Sequence, residues 1–134
     1  MKTIASATTR STSVAYRQDI STGTHQLAAD EPISAGGQNA GPAPYELLLA
    51  SLGACTAITL RMYADRKGWD LGTLRIELAL LKNAEGDTRI ERVLHSSSAL
   101  NDEQWNRILD IASKTPVTKT IQAGAPIVTQ RGVE

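Results

Sequence analysis

Alternating polar and apolar positions predict short antiparallel strands in the first thirty residues. Residues 2–9, 13–20 and 24–28 are rich in Thr, Ser and Val with polar spacing, and a turn-forming sequence, residues 19–23, separates the last two segments. Residues 32–44 are then too rich in Gly and Pro to hold regular structure for long. We expect this segment to be a loop that leads into the next element.

A long helix is predicted from Tyr45 to about Gly68. The segment contains no Pro, is rich in Leu and Ala, and ends in polar residues. At 1.5 Å per residue the helix would be on the order of 35 Å long. Its first half is apolar on nearly every face, which a surface helix would not tolerate. We therefore expect it to run through the centre of the fold, covered by sheet on more than one side or by a second subunit.

A β-hairpin is predicted after this helix. Leu, Ile and Leu residues alternate with polar ones over residues 74–80, which is typical of a half-buried strand. Residues 83–88 form a turn, and residues 89–95 return as the partner strand.

A second helix and a last strand complete the predicted elements. Apolar residues recur with helical spacing after Asn101, which together with Gln104 resembles a capping box, and this helix should end before Pro116. Residues 120–130 are predicted to form a terminal strand. The order of helices and strands indicates a mixed α+β fold with antiparallel pairing.

Composition and charge limit the kinds of partner. The 134 residues include 14 Lys and Arg and 14 Asp and Glu, so a net charge of zero provides no general field to attract nucleic acid or acidic lipid. The start of the sequence lacks the apolar run of a secretory signal, and the longest mostly apolar stretch, residues 47–60, is shorter than the ~20 residues that cross a bilayer. We expect one cytoplasmic domain that binds neither nucleic acid nor membrane.

Cys55 is the only cysteine of the sequence. A single thiol excludes an intrachain disulfide, Cys-x-x-Cys redox chemistry and a zinc site of several cysteines in one chain. The neighbouring positions of its own helix carry no charge, so reactivity requires a cation from elsewhere or a helix N-terminus directed at the sulfur. From the residues alone, a buried core cysteine is favoured over a reactive one. A helix break at Gly53, placing Cys55 in a new first turn, is an open alternative.

The other candidate groups favour structural roles. Gly36, Gly37 and Gly41 are not followed by the Lys and Ser or Thr of a phosphate-binding loop, so a turn is the favoured interpretation. His25 and His95 have no second histidine at metal-ligand spacing. We therefore expect neither a metal nor a cofactor.

A longer sequence pattern extends over residues 36–69. It consists of a Gly-Pro loop followed by Pro-Tyr-Glu-Leu-Leu, then Leu-Gly-Ala-Cys-Thr around Cys55, and then Tyr-Ala-Asp-Arg-Lys-Gly-Trp. This pattern resembles the OsmC/Ohr family of small bacterial redox proteins. The predicted elements on both sides also follow the order of that family, so the resemblance covers residues 1–134 as a single OsmC-like domain.

The resemblance implies both a fold and an activity. The fold is an intertwined homodimer in which antiparallel sheets of both subunits wrap long central helices, with the active sites at the dimer interface. Members of the family reduce organic hydroperoxides: the thiolate matching Cys55 attacks the O–O bond and becomes a sulfenic acid, a second cysteine condenses with it, and a dithiol reductant opens the disulfide. An Arg and a Glu near the sulfur stabilise the thiolate and orient the peroxide. Cys55 is therefore the implied catalytic residue.

The implied supporting residues depart from the family pattern. The family's Glu directly follows the Pro that matches Pro44, where this chain has Tyr45, and Glu46 comes one residue later, about 100° further around the helix. The Gly- and Pro-rich loop contains no Arg. Arg10 and Arg17 are the upstream candidates, of which Arg17 is favoured.

The missing second cysteine leaves two functional hypotheses. The position of that cysteine is occupied by Thr115, which cannot form a disulfide. In the favoured hypothesis, an organic hydroperoxide oxidises Cys55 and an external thiol or dithiol reduces the sulfenic acid directly. In the alternative, the protein is a non-catalytic dimer that binds an apolar small molecule or acts as a slow redox sensor. The intact Leu-Gly-Ala-Cys-Thr segment favours the first hypothesis, and the missing thiol favours the second.

Overall fold

The computed structural model describes residues 1–133, whose contacts form two compact units, Met1–Leu48 and a second unit that begins at Leu49. The helices and strands, in chain order, are β1 (Thr8–Ser11), β2 (Gln18–Thr22), β3 (His25–Ala29), α1 (Pro44–Lys67), β4 (Leu74–Lys82), β5 (Thr88–Ser96), α2 (Asp102–Ala112) and α3 (Pro116–Ala123). Two antiparallel sheets and three helices among these residues confirm the mixed α+β class.

The first unit is built on a three-stranded antiparallel sheet in the order β1-β2-β3. β2 pairs along its length with β3, with Ile20 opposite Leu27, and its first four residues pair with β1. β1 is shorter than the predicted strand of residues 2–9, and β2 begins at Gln18 rather than at residue 13. β2 is five residues long and pairs with the four residues of β1. Residues 1–7 therefore do not pair with β2 as part of the sheet.

The loop before α1 is organised around the buried carboxylate of Asp30. This carboxylate accepts hydrogen bonds of 2.8–3.2 Å from three backbone N–H groups, those of Glu31, Gln38 and Ala40. The bond from Ala40 contributes most to holding the pKa of Asp30 below its usual 3.8, against the opposing effect of burial. Gly41 approaches Ala28 so closely that a Cβ there would lie 2.2 Å from the Ala28 carbonyl oxygen. Apart from a 3₁₀ turn at Ile33–Ala35, the predicted loop is confirmed.

α1 is a continuous helix of 24 residues. It passes through Gly53 without a break, so Cys55 does not lie in a new first turn. Glycine at this position allows β4 to pack closely, because a Cβ would lie only 3.0 Å from Leu78 Cδ1. One face of the helix is buried through residues spaced four apart, namely Leu52, Thr56, Leu60 and Ala64. On the opposite face, Ile58 and Met62 are each 55% exposed.

α1 is also long and apolar enough to cross a membrane, by length and composition alone, and it is the one such helix in residues 1–133. The apolar stretch considered in the sequence, residues 47–60, suggested a segment too short for this. Only 22% of the most apolar 18-residue window of α1 is buried within the chain. The core helix of a soluble protein meets the same two criteria. The expected coverage of α1 on more than one side is therefore not achieved within a single chain.

β4 and β5 form the hairpin predicted from the sequence, paired in register from Leu74 opposite Ser96 to Lys82 opposite Thr88. The main hydrophobic cluster of the second unit joins α1, the following loop and α2 through Leu60, Ala64, Leu71 and Ile108. The predicted capping box at the start of α2 is confirmed: the N–H of Gln104 donates to the Asn101 side chain, and the N–H of Asn101 donates to the Gln104 side chain.

The predicted terminal strand over residues 120–130 is wrong. Its first residues belong to α3, which begins after the N-cap residue Thr115, has Pro116 at its first position and ends at Gly124 with a φ of +72°. The β-branched residues of this segment favour a strand, but Pro at the first position of a helix and Gly at its end outweigh that preference. Residues 124–133 have no regular secondary structure.

Candidate active site

Cys55 lies half-buried on α1 and contacts the start of α3. The backbone N–H of Val117 donates a hydrogen bond to Cys55 Sγ at an N···S distance of 3.5 Å. Thr59, one turn further along α1, has its hydroxyl oxygen 4.0 Å from the same sulfur. The environment of Cys55 therefore includes a polar donor from an element distant in sequence, which α1 alone does not supply.

The donor belongs to a helix N-terminus. Pro116 occupies the first position of α3 and Val117 the second, so the N–H of Val117 is one of the amides that have no acceptor within the helix. The aligned peptide dipoles place roughly half a positive charge at this end of a helix. The hydrogen bond from Val117 and the helix dipole would both stabilise a negative charge on the sulfur.

Arg92 of β5 supplies a cation to the same region. Its guanidinium donates to the hydroxyl oxygens of Thr56 and Thr118 at 2.8 and 2.9 Å, and to the Ala112 carbonyl oxygen at 2.8 Å. Thr56 follows Cys55 in the chain, and Thr118 follows Val117. The guanidinium therefore binds the residue that follows Cys55 and the residue that follows Val117, and in this way it connects α1 to α3.

The electrostatics of Arg92 reflect its position. Burial is the main cause that lowers the pKa of Arg92, because removal from water disfavours the charged form. The negative charge of Cys55 acts in the opposite direction. The two side chains therefore lie within electrostatic reach of each other, and Arg92 keeps its positive charge throughout the physiological pH range.

Thr115, the residue that the family resemblance places at the position of the second cysteine, lies at the N-cap of α3 and is fully buried. Its hydroxyl is 2.6 Å from that of Thr118, which also receives the hydrogen bond from Arg92. Thr115 is two residues before Val117, whose N–H contacts the sulfur. Its side chain is thus part of a buried polar network of Thr56, Arg92, Thr115 and Thr118.

A cavity of about 390 Å³ opens beside this network. Arg92 and Thr118 belong to both the network and the wall of the cavity. The remaining wall is apolar through Leu52, Ile90 and Ile121 and polar through Thr88 and Gln122. This mixture suits a small molecule with an apolar body and a hydrogen-bonding group.

The supporting residues predicted from the family, Arg17 and Glu46, lie in the first unit. Arg17 Nε donates to Asp19 Oδ1 at 3.3 Å, and the Arg17 side chain is 43% exposed. Glu46 Oε1 accepts a hydrogen bond of 2.8 Å from the N–H of Ala43 at the start of α1. These contacts are within the first unit, and a role for either residue at the sulfur stays a prediction. In residues 1–133, no group of three or more His, Cys, Asp or Glu could hold a metal ion.

Comparison with known proteins identifies the family. Residues 36–130, well over half of the chain, match the family model described as OsmC-like protein. The chain belongs to the OsmC-like protein family. The family resemblance inferred from the pattern around Cys55 is thereby confirmed.

Solved structures share the OsmC-like fold. An osmotic stress induced and detoxification response protein from Psychrobacter arcticus 273-4 is 17% identical, with a TM-score of 0.77 over 90% of each chain. An OsmC like protein from Mycoplasma pneumoniae is 18% identical, with a TM-score of 0.71 over 91% of this chain and 89% of the other. An organic hydroperoxide resistance protein OsmC from Legionella pneumophila is 20% identical, with a TM-score of 0.66 over 90% and 92%. None of the curated proteins compared with the chain matches it.

The OsmC-like pattern points to Cys55 but not to Arg92 or Val117. Arg92 does carry a signal in the sequence, because it stands between Ile90 and Leu94 on the inward face of β5, where an unpaired charge is unfavourable. An arginine in that register requires buried acceptors. The amide of Val117 carries no signal, since any residue other than Pro would provide it.

Proposed function

We propose that this OsmC-like protein reduces organic hydroperoxides with Cys55 as its single reactive thiol and that an external thiol or dithiol reduces the oxidised cysteine. The single observation that carries the proposal is the contact of Cys55 Sγ with the N–H of Val117 at the positive end of α3, where the Arg92 cation binds the next residue of each chain segment, Thr56 and Thr118. These are the two features that convert an inert helical thiol into a reactive one. Family membership and structural neighbours named as organic hydroperoxide resistance proteins support a peroxide-related role.

The reaction would proceed in two stages. The Cys55 thiolate attacks one oxygen of the hydroperoxide, the O–O bond breaks, and the alcohol leaves as Cys55 becomes a sulfenic acid. An external thiol then attacks the sulfur, releasing water and forming a mixed disulfide, which a second thiol group reduces to regenerate Cys55. The second stage must use an outside thiol, because Thr115 occupies the position of the family's second cysteine.

The cavity beside Arg92 is the proposed site for the organic part of the peroxide. Leu52, Ile90 and Ile121 would contact an apolar substituent, and the polar wall would contact oxygen atoms. Arg17 and Glu46 are retained as proposed supporting residues from the family pattern. Replacing each separately by Gln tests them, because a supporting role predicts slower peroxide reduction with little change in melting temperature.

A homodimer in the cytoplasm is the proposed form of the protein. The exposed apolar residues of α1, Ile58 and Met62, support an intertwined homodimer, since a second subunit would cover them. Ile127 and Val128, which follow α3, are each 90% exposed and would gain burial in the same way.

Peroxide turnover by the purified protein tests the proposal. The protein is mixed with cumene hydroperoxide, and peroxide loss is followed with dithiothreitol or a lipoylated protein as the reductant, while sulfenic acid is trapped with dimedone. We expect multiple turnovers and a dimedone adduct at Cys55, both absent in the matched variant Cys55→Ser. Turnover that survives Cys55→Ser, or a Cys55 that peroxide never oxidises, would contradict the enzyme function.

The same assay distinguishes the alternative function, a non-catalytic dimer that binds an apolar small molecule or acts as a slow sensor. The replacement of the second thiol by a buried Thr115 with its own hydrogen-bonding role is the observation that favours it. A sensor would be oxidised once at Cys55 and then stop, with reductant present. A binding protein would take up an apolar ligand without oxidation.

A further inference from the structure

The backbone nitrogen of Val117 already faces the sulfur of Cys55. Its N–H donates to Sγ at 3.5 Å and has no acceptor within α3. Pro116, the residue before it, has no N–H, so Val117 provides the first amide nitrogen of the helix that carries a hydrogen. Replacing that hydrogen by a covalent bond would therefore break no hydrogen bond of the helix.

We propose that the Val117 nitrogen traps the sulfenic acid of Cys55 as a sulfenamide, an S–N bond that takes the place of the missing disulfide. This trap rests on the proposed function, because an organic hydroperoxide must first oxidise Cys55. Sulfenic acids condense either with a thiol or with a backbone nitrogen. Cys55 is the only cysteine of the 134 residues, so the chain offers no second thiol to compete with the nitrogen.

The buried network holds the nitrogen in place. Arg92 binds Thr118, the residue after Val117, and Thr118 contacts the N-cap Thr115 at 2.6 Å. Arg92 also binds Thr56, the residue after Cys55. One cation thus binds the residue that follows each reacting residue. The two reacting atoms are 3.5 Å apart and must approach to the length of an S–N single bond.

The condensation balances without a further oxidant. The hydroperoxide first removes two electrons from Cys55, forming an S–O bond while the O–O bond breaks and the alcohol leaves. The Val117 nitrogen then attacks the sulfur, the S–N bond forms, and the hydroxyl group of the sulfenic acid leaves with the amide proton as water. An external thiol opens the S–N bond by attacking the sulfur, returns a proton to the nitrogen and gives a mixed disulfide, which a second thiol reduces.

The trap would protect Cys55 between oxidation and reduction. A sulfenic acid exposed to excess peroxide proceeds to sulfinic acid, which is irreversible for most proteins. A sulfenamide has no S–OH group to oxidise further and is reopened by thiols. A one-cysteine enzyme with this trap would therefore remain recoverable when the reductant is scarce.

Mass spectrometry of the intact chain provides the direct test. After one equivalent of cumene hydroperoxide without reductant, the sulfenamide lowers the mass by about 2 Da, whereas the sulfenic acid raises it by about 16 Da. A trypsin digest should join the peptide of residues 18–61, which contains Cys55, to the peptide of residues 115–119, which contains Val117. Dithiothreitol should separate the two peptides. A disulfide between two chains is distinguished by its doubled mass.

Two variants test whether the backbone nitrogen of Val117 forms the S–N bond. Val117→Pro removes the N–H at a position in the first helical turn, and we expect loss of the joined peptides. One equivalent of peroxide should then leave sulfenic acid at Cys55, and excess peroxide should convert it to sulfinic acid. Val117→Ala keeps the N–H and should give the joined peptides as in the unmodified chain. If Val117→Pro does not fold, the fragment spectrum of the joined peptides in the unmodified chain decides alone, since it assigns the bond to Val117 or to another residue.

The outcomes separate the trap from the enzyme function. A dimedone adduct at Cys55 with no joined peptides, or a bond to a residue other than Val117, overturns the trap and leaves the peroxidase function standing. A Cys55 that peroxide does not oxidise overturns both. Joined peptides at Val117 that thiols fail to open refute the protective role, because the sulfenamide would then be a dead end.

Discussion

Replacement of Arg92 by Met removes the cation while keeping an aliphatic side chain in the half-buried position on β5. The guanidinium makes three hydrogen bonds, to Thr56, Thr118 and the Ala112 carbonyl. Hydrogen bonds to a charged group are each worth about 1.5–3 kcal/mol, but three on one partially exposed group are not additive. Thr56 keeps its bond to the Leu52 carbonyl. We therefore expect a loss of about 3 kcal/mol in the free energy of unfolding, or roughly 10 °C in melting temperature.

The same replacement should slow the chemistry of Cys55. Loss of the positive charge and loosening of α3 both weaken the stabilisation of a thiolate, and we expect Cys55 to react about tenfold more slowly, which corresponds to ~1.4 kcal/mol in the barrier. The assays are the rate of alkylation by iodoacetamide at pH 7 and the rate of cumene hydroperoxide reduction. Both rates should fall by a similar factor, because both require the thiolate.

Two further variants separate charge from position. Arg92→Lys keeps the charge but cannot donate in a planar fork to three acceptors, so it should recover part of the alkylation rate while the melting temperature stays low. Arg89→Met, on the same strand, removes an arginine whose side chain is 72% exposed and paired with Glu91, and it should change neither quantity measurably. If Arg92→Met leaves alkylation and melting temperature both unchanged, the assignment of Arg92 to the site is refuted.

Three other predictions test separate features. Thr115→Cys returns a second thiol beside the sulfur contact, so peroxide treatment should produce an intrachain disulfide with Cys55 and raise dithiothreitol-dependent turnover; two free thiols after oxidation would contradict the assigned position. Ionised Asp30 stabilises the fold fully above its usual pKa of 3.8, and because its pKa is lowered in the folded state, this stability is lost as the pH falls from there through the lowered pKa. Asp30→Asn should remove that part of the acid dependence, measured by denaturant unfolding between pH 2 and pH 7, roughly the range over which carboxylates titrate. The proposed homodimer should be seen in light scattering of the unmodified protein, and Ile58→Glu and Met62→Glu should each give a monomer; a dimer that persists in both variants would place the interface elsewhere.

The elements that the sequence predicts correctly are those determined by local pattern. The long helix, the β4–β5 hairpin and the Asn101 capping box each follow from spacing or turn chemistry within a few residues. The prediction of a terminal strand is wrong because the strand preference of β-branched residues such as Thr120 and Ile121 is weaker than the signals that begin and end α3. Register within a sheet fixes the length of β1, and the sequence of β1 alone contains no information about its partner.

The site is less predictable because its parts come from separate elements. The family pattern points to Cys55 because the residues that carry the pattern around it are contiguous in sequence. Arg92 reaches Thr56 across 36 positions, and Val117 reaches Cys55 across 62. Such contacts follow from the packing of α1, β5 and α3 against each other, which no periodicity encodes.

The same long-range contacts make the proposed reactivity of Cys55 a property of the folded chain only. In an unfolded or newly synthesised chain, neither the α3 amide nor Arg92 is held near the sulfur, and Cys55 behaves as an ordinary thiol. Partial unfolding that releases α3 would lower the reaction rate of Cys55 before α1 itself unfolds. The alkylation rate of Cys55 should therefore measure the fraction of molecules in which α3 is docked against α1. Methods that measure only total helix content would miss this step of folding.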